Sequence, residues 1–474
     1  MITFLVALFT LIAGFFIYGK IVERFFKPTD NPTPAVTKND GVDFVPLPTW
    51  KVFLIQLLNI AGLGPIFGAI SGALWGPCVY IWIVLGTIFA GGVHDYLSGM
   101  ISLREGGKSL TEIVGKYMGD GVLKFMRVFM VLLLILIGAV FTVGPAGLLR
   151  IFTGYSLMVL IILILFYYFL ATLLPIDAII GKLYPLFGIC FIVMAVGIMF
   201  GMFFDDECVM PEMEFANLHP EGLFIWPFMF ITVACGAVSG FHATQSPMMA
   251  RCLKNEHLGR PVFYGAMVCE GIIALIWAAA GITFYESPAD LNNLLLQSGA
   301  GAVVYEICEG FLGTGLGMSL AMIGVIICPI TSGDTTLRSA RLILADWFNI
   351  NQNEVKKRLA LSVPIILSAG FITQLDFNVI WRYFAWMNQS IATIVLWTGA
   401  VYMNQKFEGS SYFVALIPAL FMTVVTTTYI LMAPEGFKMD VVISTSVGFI
   451  CMLVALTKFW KTRRAGIEPH VKFG

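Results

Sequence analysis

The chain has 474 residues, of which 58% are hydrophobic and 12% charged, and its formal net charge is −1. Soluble domains carry about 25% charged residues, so this composition excludes an ordinary soluble protein. A net charge this close to zero gives no indication of a nucleic acid partner. Apolar runs of about 20 residues recur along the chain, which is typical of a polytopic membrane protein.

The first apolar run, Ile2 to Tyr18, lacks a basic residue before it and a small-residue cleavage site after it. It is therefore predicted to be a retained first helix and not a removed signal peptide. Hydropathy predicts an all-α protein with about 13 transmembrane helices. The predicted spans are 2–22, 52–73, 78–102, 125–146, 156–175, 183–204, 224–248, 262–285, 316–333, 359–375, 378–403, 411–433 and 440–460.

Lys and Arg residues test this count, because they are enriched in cytoplasmic loops. If the N-terminus is outside, all but three of the 28 Lys and Arg residues fall on the inner side, Lys182 among them as an inner-loop anchor. The exceptions are Arg150, Arg382 and Lys438. The distribution predicts a multi-pass protein with its N-terminus outside and its C-terminus inside.

Two outer connections, 205–223 and 286–315, are long and contain no Lys or Arg. The second has an amphipathic helical pattern that is too polar to span a membrane. We expect it to cover a cavity from outside. The nine cysteines occur singly, mostly in apolar runs, and indicate neither disulfides nor a metal site.

Two spans are interrupted by clustered small and polar residues: the second, at 59–72, and the seventh, at 233–247. Glycine and proline release backbone groups that lipid cannot satisfy, so unwound backbone there must face protein or a water-filled cavity. Half-helix N-termini suit a carboxylate, and freed carbonyls suit a cation. The alternative is that the small residues merely permit close helix packing. The predicted substrate-binding residues are Asn59, Gly62, Gly64, Pro65, Gly236, Ser239, Gly240, His242, Thr244 and Gln245.

The two interrupted spans lie five helices apart and would cross the membrane in opposite directions, which is the arrangement of a five-plus-five inverted repeat. This predicts a ten-helix transport core at 51–405. An extra helix and cytoplasmic loop would precede it at 1–50, and two accessory helices with a cytoplasmic tail would follow at 406–474.

Ionisable residues inside a membrane are costly and usually functional. His94, Asp95 and Asp334 are predicted to line one inner polar region that carries the coupling ion. The alternative is that the two aspartates pair structurally with inner-loop arginines such as Arg104 or Arg338. His242 lies inside the second break and is predicted to contact substrate, although a buried histidine is often only hydrogen-bonded.

Glu270, in the eighth predicted span, is a further candidate without an obvious partner in the sequence. Enzyme motifs are absent from the sequence. The segment Gly106-Gly-Lys-Ser109 resembles the end of a phosphate-binding loop, but the first glycine of that motif is replaced by Ser102. The sequence therefore predicts neither an enzyme nor an ATP-driven pump.

Four stretches between about residues 50 and 345 are distinctive: Asn59-Ile-Ala-Gly-Leu-Gly-Pro-Ile-Phe-Gly, Gly91-Gly-Val-His-Asp95, Ser239-Gly-Phe-His-Ala-Thr-Gln-Ser-Pro-Met-Met-Ala-Arg251 and Ile330-Thr-Ser-Gly-Asp-Thr-Thr-Leu-Arg338. In this order they resemble the signature blocks of the carbon starvation protein A (CstA) family, a family of bacterial inner-membrane transporters. The chain is shorter than the long enteric members.

The resemblance implies a LeuT-type core, in which the first and sixth core helices are broken and an external lid follows the seventh. It also implies that hydroxyls of core helix eight, here Thr331 and Ser332 with Thr335 one turn on, hold a coupling cation, and that Asp334 serves a proton-coupled member. The expected function is H⁺- or Na⁺-coupled import of pyruvate or short peptides. A channel or membrane sensor on the same fold is the alternative.

No cofactor besides the coupling ion is expected. The predicted partners are the small-molecule substrate and the lipid bilayer, with no nucleic acid, and the sequence indicates no oligomeric state.

Overall fold

The computed structural model describes residues 1–40, 44–173, 180–205, 208–352 and 354–465. Within these ranges the chain is helical and contains no β-strand, so the predicted all-α class is confirmed. The predicted residues 174–175 and the end of the predicted cytoplasmic tail, 466–474, lie outside the described residues. The side chain of Lys182 is likewise outside the description.

The helices of the first part of the chain end with the fifth predicted span. They are α1 (Ile2–Phe16), α2 (Tyr18–Phe26), α3 (Pro34–Thr37), α4 (Thr49–Ala61), α5 (Ala69–Gly72), α6 (Val79–Leu85), α7 (Gly92–Arg104), α8 (Leu110–Met118), α9 (Asp120–Thr153) and α10 (Leu157–Leu173). Three tighter or wider helical turns, Gly64–Gly68, Ala73–Cys78 and Gly86–Gly91, connect α5, α6 and α7.

The second part of the chain is built in the same way. Its helices are α11 (Ile180–Phe204), α12 (Phe230–Thr232), α13 (His242–Ala250), α14 (Gly265–Phe284), α15 (Pro288–Leu312), α16 (Leu316–Phe348), α17 (Val355–Ile372), α18 (Phe377–Lys406), α19 (Phe413–Met432) and α20 (Val441–Ala465). Short helical turns at Ile225–Met229, Glu256–Leu258 and Arg260–Tyr264 precede α12 and α14.

Seven helices of the described chain are long and apolar enough to cross a membrane, and two shorter ones, Thr49–Ala61 and Leu157–Thr172, are apolar. The three predicted spans at 316–333, 359–375 and 378–403 coincide with α16, α17 and α18, which are helical but are not among these seven. The chain is thus a multi-pass membrane protein, and the number thirteen stays a prediction.

Two connections differ in detail from a simple loop. Gly76, with a φ of 75°, turns the chain between the second and third predicted spans. The amphipathic segment 286–315 forms the helix α15, which is interrupted at Gly299, where φ is 77°. A positive φ of this kind favours glycine, so the glycine at each of these two positions explains why the chain turns there.

Four helices meet in the centre of the molecule: α4, α7, α13 and α14. The N-terminal helix α1 packs on α14 and α6, while α19 packs on α18 and α20 packs on α19. The division into a transport core and accessory helices stays a prediction. The central four bring the two interrupted regions together.

Candidate functional site

The first break separates α4 from the turn that begins at Gly64. Helix α4 ends at Ala61, and Gly62 adopts a φ of 37° and a ψ of −140°, which a residue with a side chain rarely adopts. Pro65 lies in the first turn after the break, where its missing N–H breaks no helical hydrogen bond. The predicted interruption and its proline are both confirmed.

The second break extends over residues 233–241, between the end of α12 at Thr232 and the start of α13 at His242. It covers the first part of the predicted interruption at 233–247, whose remaining residues, 242–247, are helical in α13. The two breaks touch, because a Cβ atom at Gly64 would overlap the Cβ of Cys235. Glycine at position 64 is therefore required for the close approach of the two unwound segments.

The carbonyl groups around the second break accept hydrogen bonds from side chains of neighbouring helices. Thr87 Oγ1 donates to Gly236 O at 3.0 Å, and Trp82 Nε1 lies 3.1 Å from Phe230 O and 3.3 Å from Val233 O. In addition, Gln389 Nε2 donates to Phe230 O at 2.6 Å. These carbonyls, which the sequence suggested for cation binding, already have donors.

Asn388 of α18 supports the other end of the same break. Its Oδ1 accepts from the Phe241 N–H at 2.7 Å and lies 3.2 Å from Ser239 Oγ, while its backbone oxygen accepts from the Gly240 N–H at 3.1 Å. Its Nδ2 donates to Ser239 Oγ at 2.9 Å. The predicted substrate residues Ser239 and Gly240 are thus bound to Asn388, which sequence reasoning missed.

A carboxylate–histidine cluster, formed by His94, Asp95, His242 and Glu270, lies where α7, α13 and α14 meet. Asp95 Oδ1 is 2.7 Å from His94 Nδ1, and Asp95 Oδ2 is 2.9 Å from His242 Nδ1. His242 Nε2 is 3.3 Å from Glu270 Oε2, which is ion-pair distance without hydrogen-bond alignment. All four residues are fully buried.

This geometry favours an additional proton on the cluster. Both ring nitrogens of His242 face carboxylate oxygens, one on Asp95 and one on Glu270, whereas a neutral imidazole has a single N–H. A nitrogen lone pair that faces an ionised carboxylate is repelled by it. One further proton on His242 or on one of the two carboxyl groups removes this repulsion.

The surfaces beside the first break carry polar atoms that lack partners. Among the described residues, Gln56 Oε1, Asn59 Oδ1 and Gln245 Oε1 are buried without a hydrogen bond. Gln56 Nε2 donates to Ser246 Oγ at 3.1 Å, which joins α4 to α13, and Gln245 Nε2 donates to Thr244 Oγ1 at 2.8 Å. Unpaired buried acceptors are costly, so a ligand that donates hydrogen bonds to these oxygens would be stabilised here.

The hydroxyls predicted on core helix eight lie on α16. Ser332 Oγ is 3.4 Å from Leu58 O, a carbonyl of the last turn of α4, and thus reaches the first break. Thr331 Oγ1 donates to Ile327 O and Cys328 O within α16, and Thr335 Oγ1 donates to Ser332 O. Of the three, Ser332 is the one placed against the break.

Asp334 has an arginine as its charged partner and is not part of the carboxylate–histidine cluster. Its Oδ2 lies 3.5 Å from Arg338 NH2, one turn further along α16. Arg104, in contrast, pairs with Glu256 at 2.9 Å. The arginine-pairing alternative thus describes Asp334 but not Asp95, whose partners are two histidines. Within the described ranges, no group of three or more His, Cys, Asp or Glu residues is arranged to hold a metal ion.

Known proteins resemble this chain in both sequence and fold. The profile of the family "Carbon starvation protein CstA" matches residues 1–149, 145–292 and 283–429. An uncharacterized membrane protein of Haemophilus influenzae is 42% identical over 65% of this chain and 97% of its own length. The peptide transporter CstA of Escherichia coli is 25% identical over 87% of this chain and 78% of its own.

The pyruvate/proton symporter BtsT of Escherichia coli is 29% identical over 52% of this chain and 43% of its own length. A solved structure, the manganese transporter of Eremococcus coleocola, superposes with a TM-score of 0.57 at 12% identity and covers 90% of this chain and 99% of its own. That likeness concerns the fold alone. With its helical membrane-spanning architecture and a family profile that extends over most of its length, the chain is a transporter protein that belongs to the carbon starvation protein CstA family.

Proposed function

We propose that this protein is a secondary active transporter that imports a small carboxylate-bearing nutrient, pyruvate or a short peptide, together with a proton. The names of two relatives, a peptide transporter and a pyruvate/proton symporter, supply the substrate classes. A carboxylate is the group that these substrates share. The driving force would be the proton gradient across the bacterial cytoplasmic membrane, with Na⁺ as the alternative coupling ion.

The observation that carries the proposal is the position of His242 between Asp95 and Glu270, at 2.9 Å and 3.3 Å. The trio favours one proton more than a neutral imidazole between two carboxylates, which supports its role as the site of a transported proton. Burial makes the charge state of the trio depend strongly on what occupies the site. Arrival of a negatively charged carboxylate would favour the protonated state, which is how binding and protonation become coupled.

The substrate would bind beside the first break. Gly64 and Pro65 begin a half-helix there, and the N–H groups of its first turn carry a positive partial charge that attracts a carboxylate. The unpartnered oxygens of Gln56, Asn59 and Gln245 would accept hydrogen bonds from N–H groups, as a peptide offers. Pyruvate has no such donors, so these oxygens favour the peptide of the two substrates, unless water bridges them.

Transport would proceed by alternating access around the two breaks, on a LeuT-type five-plus-five core at 51–405. The opposite orientation of the two broken regions in the predicted topology supports this. The helix α15 would act as the external lid, because it follows α14 on the predicted outer side and is itself interrupted at Gly299. The N-terminus would face outside and the C-terminus inside.

Uptake by proteoliposomes tests the proposal. Radiolabelled pyruvate and a radiolabelled dipeptide are supplied outside, with an inward proton gradient, an inward Na⁺ gradient, or neither. We expect accumulation above the external concentration with the proton gradient, and its collapse on addition of a protonophore. Flux that only equilibrates the two compartments would favour a channel, and no flux of either compound would favour a sensor.

The variant Glu270→Gln tests proton coupling separately from substrate binding. It keeps the size of the side chain but cannot ionise, so we expect exchange of internal for external substrate to continue while accumulation on the proton gradient is lost. Glu214→Gln, on an exposed outer segment, is the matched control and should behave as the native protein. Accumulation by Glu270→Gln at the native level would contradict the proposed role of the trio.

A further inference from the structure

A second group of buried and partly buried charges lies on α16 and α17, away from the carboxylate–histidine cluster. Arg338 and Arg341 are one turn apart on α16, and Arg358 lies at the beginning of α17, which packs against α16. Arg341 is only 5% exposed. The charge of Arg341 interacts with those of both other arginines and with that of Asp334. Both arginines of α16 interact with the carboxylate of Asp334, and Arg341 also interacts with Arg358 of α17.

The hydrogen bonds of this arginine group are incomplete. Arg338 donates through NH2 to Ala171 O at 3.0 Å and approaches Asp334 Oδ2 at 3.5 Å. Over the part of the chain that the structure describes, Arg341 has no hydrogen bond and no ion pair, and the Nε atoms of Arg338, Arg341 and Arg358 are all buried without an acceptor. Each guanidinium thus keeps an unused donor.

Such an arrangement is costly without an anion. Arginine stays protonated in proteins, so the group cannot relieve repulsion by releasing a proton. Removing a charge from water costs several kcal/mol unless a partner of opposite sign and hydrogen bonds replace the water. One carboxylate cannot serve three guanidinium groups that carry three separate unused donors.

The location points to an anion at the membrane boundary. Arg341 lies seven residues before the end of α16 at Phe348, which corresponds to roughly 10 Å along a helix. Arg358 lies in the first turns of α17, whose N-terminus adds positive partial charge. Both helix ends fall on the predicted cytoplasmic side, where basic pockets between helices bind phospholipid headgroups.

We propose that Arg338, Arg341 and Arg358 form a binding site for a phosphate group at the cytoplasmic ends of α16 and α17. Guanidinium groups match the oxygens of a phosphate two at a time, and three of them with separate free donors fit a group with several acceptor oxygens. The phosphate belongs either to the headgroup of an anionic phospholipid or to a free phosphate ion. The site is separate from transport chemistry and does not depend on the proposed substrate.

The experiment uses the full-length protein in phosphatidylcholine nanodiscs. In one arm, phosphatidylglycerol replaces part of the phosphatidylcholine, and native mass spectrometry counts the phospholipids that stay bound. In the other arm, inorganic phosphate is titrated, with chloride as the reference anion, and the midpoint of thermal unfolding is followed. Retention of phosphatidylglycerol identifies the headgroup, and a phosphate-specific rise of the midpoint identifies the free ion.

Variants assign the binding to these arginines. Arg341→Gln should weaken binding of the responding anion about tenfold, the loss expected for one charge-assisted contact. Arg341→Lys keeps the charge and should retain part of it. Arg150→Gln, on the exposed end of α9, is the matched control and should bind normally. Equal binding of both anions by the native protein and Arg341→Gln would overturn the proposal.

A carboxylate of this chain could instead neutralise the arginines, and Asp177 lies outside the described residues. The double variant Arg341→Gln with Asp177→Asn distinguishes the two. If the single variants each lower the unfolding midpoint and the double variant restores it, the counter-charge is Asp177 and the phosphate site is overturned. If Asp177→Asn leaves anion binding and the midpoint unchanged, the proposal stands.

Discussion

The two helix breaks differ in how completely the protein satisfies them. At the second break, Trp82, Thr87 and Gln389 donate to the freed carbonyls, and Asn388 takes the free N–H groups. Beside the first break, polar side chains of α4 and α13 keep buried oxygens without a donor. Small residues within a membrane span thus give two different results: freed backbone groups with side-chain partners at the second break, and unpaired side-chain oxygens on the helices beside the first break.

The difference suggests a division of labour. The backbone groups of the second break named above have side-chain partners, and we infer that these contacts position His242 at the start of α13 for the carboxylate–histidine cluster. A segment with unused acceptors gains most from a ligand that supplies donors. We therefore assign positioning to the second break and recognition to the first, and the following variants test that assignment.

The largest effect is expected for Asp95→Asn. Asp95 contacts both histidines, so the substitution removes the central acceptor and the charge that holds the cluster together. Uptake driven by a proton gradient should fall to the level of protein-free liposomes. Asp346→Asn, on an exposed turn of α16, should leave uptake unchanged. Normal accumulation by Asp95→Asn would remove the cluster from the mechanism.

Asn388→Ala should act on stability. It leaves the Phe241 N–H without its acceptor and removes the side-chain contacts to Ser239. Because each unsatisfied buried group costs about 1–3 kcal/mol, the free energy of unfolding should fall by about 2–4 kcal/mol. Thermal unfolding in detergent measures this as a lower midpoint.

Asn293→Ala, on an exposed position of α15, is the control for that experiment and should keep the native midpoint. If Asn388→Ala unfolds at the same temperature as the control, the second break is not the supported segment that its contacts imply.

Asn59→Leu should produce the opposite pattern at the first break. The substitution replaces an acceptor that has no donor with an apolar group of similar size, so the unfolding midpoint should stay the same or rise. The substrate concentration for half-maximal uptake should rise about tenfold, the change expected for one lost hydrogen bond to a bound ligand. Unchanged half-saturation together with a lower midpoint would reverse the assignment of the two breaks.

The smallest effect is expected for Ser332→Ala. Its hydroxyl makes one long contact to Leu58 O at 3.4 Å, so uptake on a proton gradient should change by less than about threefold, the value of a single weak hydrogen bond. Thr331→Ala serves as the neighbouring comparison. If Ser332→Ala abolishes uptake and added Na⁺ stimulates uptake by the native protein, the coupling ion is Na⁺, bound at the first break, and not the proton.

The positions of both breaks were predictable from the sequence, because glycine and proline act locally and their effect needs no knowledge of the neighbours. The same holds for the pair of His94 and Asp95, which are adjacent in the chain. The role of Asn388 was not predictable in this way, since it contacts a segment about 150 residues away. A polar run inside a span, Asn388-Gln389-Ser390, was the available indication.

The partners of Glu270 were likewise not predictable from the sequence. The sequence offers it no obvious partner, and only the packing of α13 and α14 on α7 and α4 brings His242 between it and Asp95. Asp334 was grouped with His94 and Asp95 by depth alone, and two residues at a similar height in a membrane can lie on different helices with different neighbours. Its partner, Arg338, is on its own helix.

The most direct test of the central claim is the movement of protons during uptake. A pH-sensitive dye inside proteoliposomes reports acidification when pyruvate or a dipeptide is added outside without an imposed gradient. The account predicts acidification of the lumen with the native protein and none with Asp95→Asn or Glu270→Gln. Substrate uptake without acidification in the native protein, or equal acidification in both variants, would contradict it.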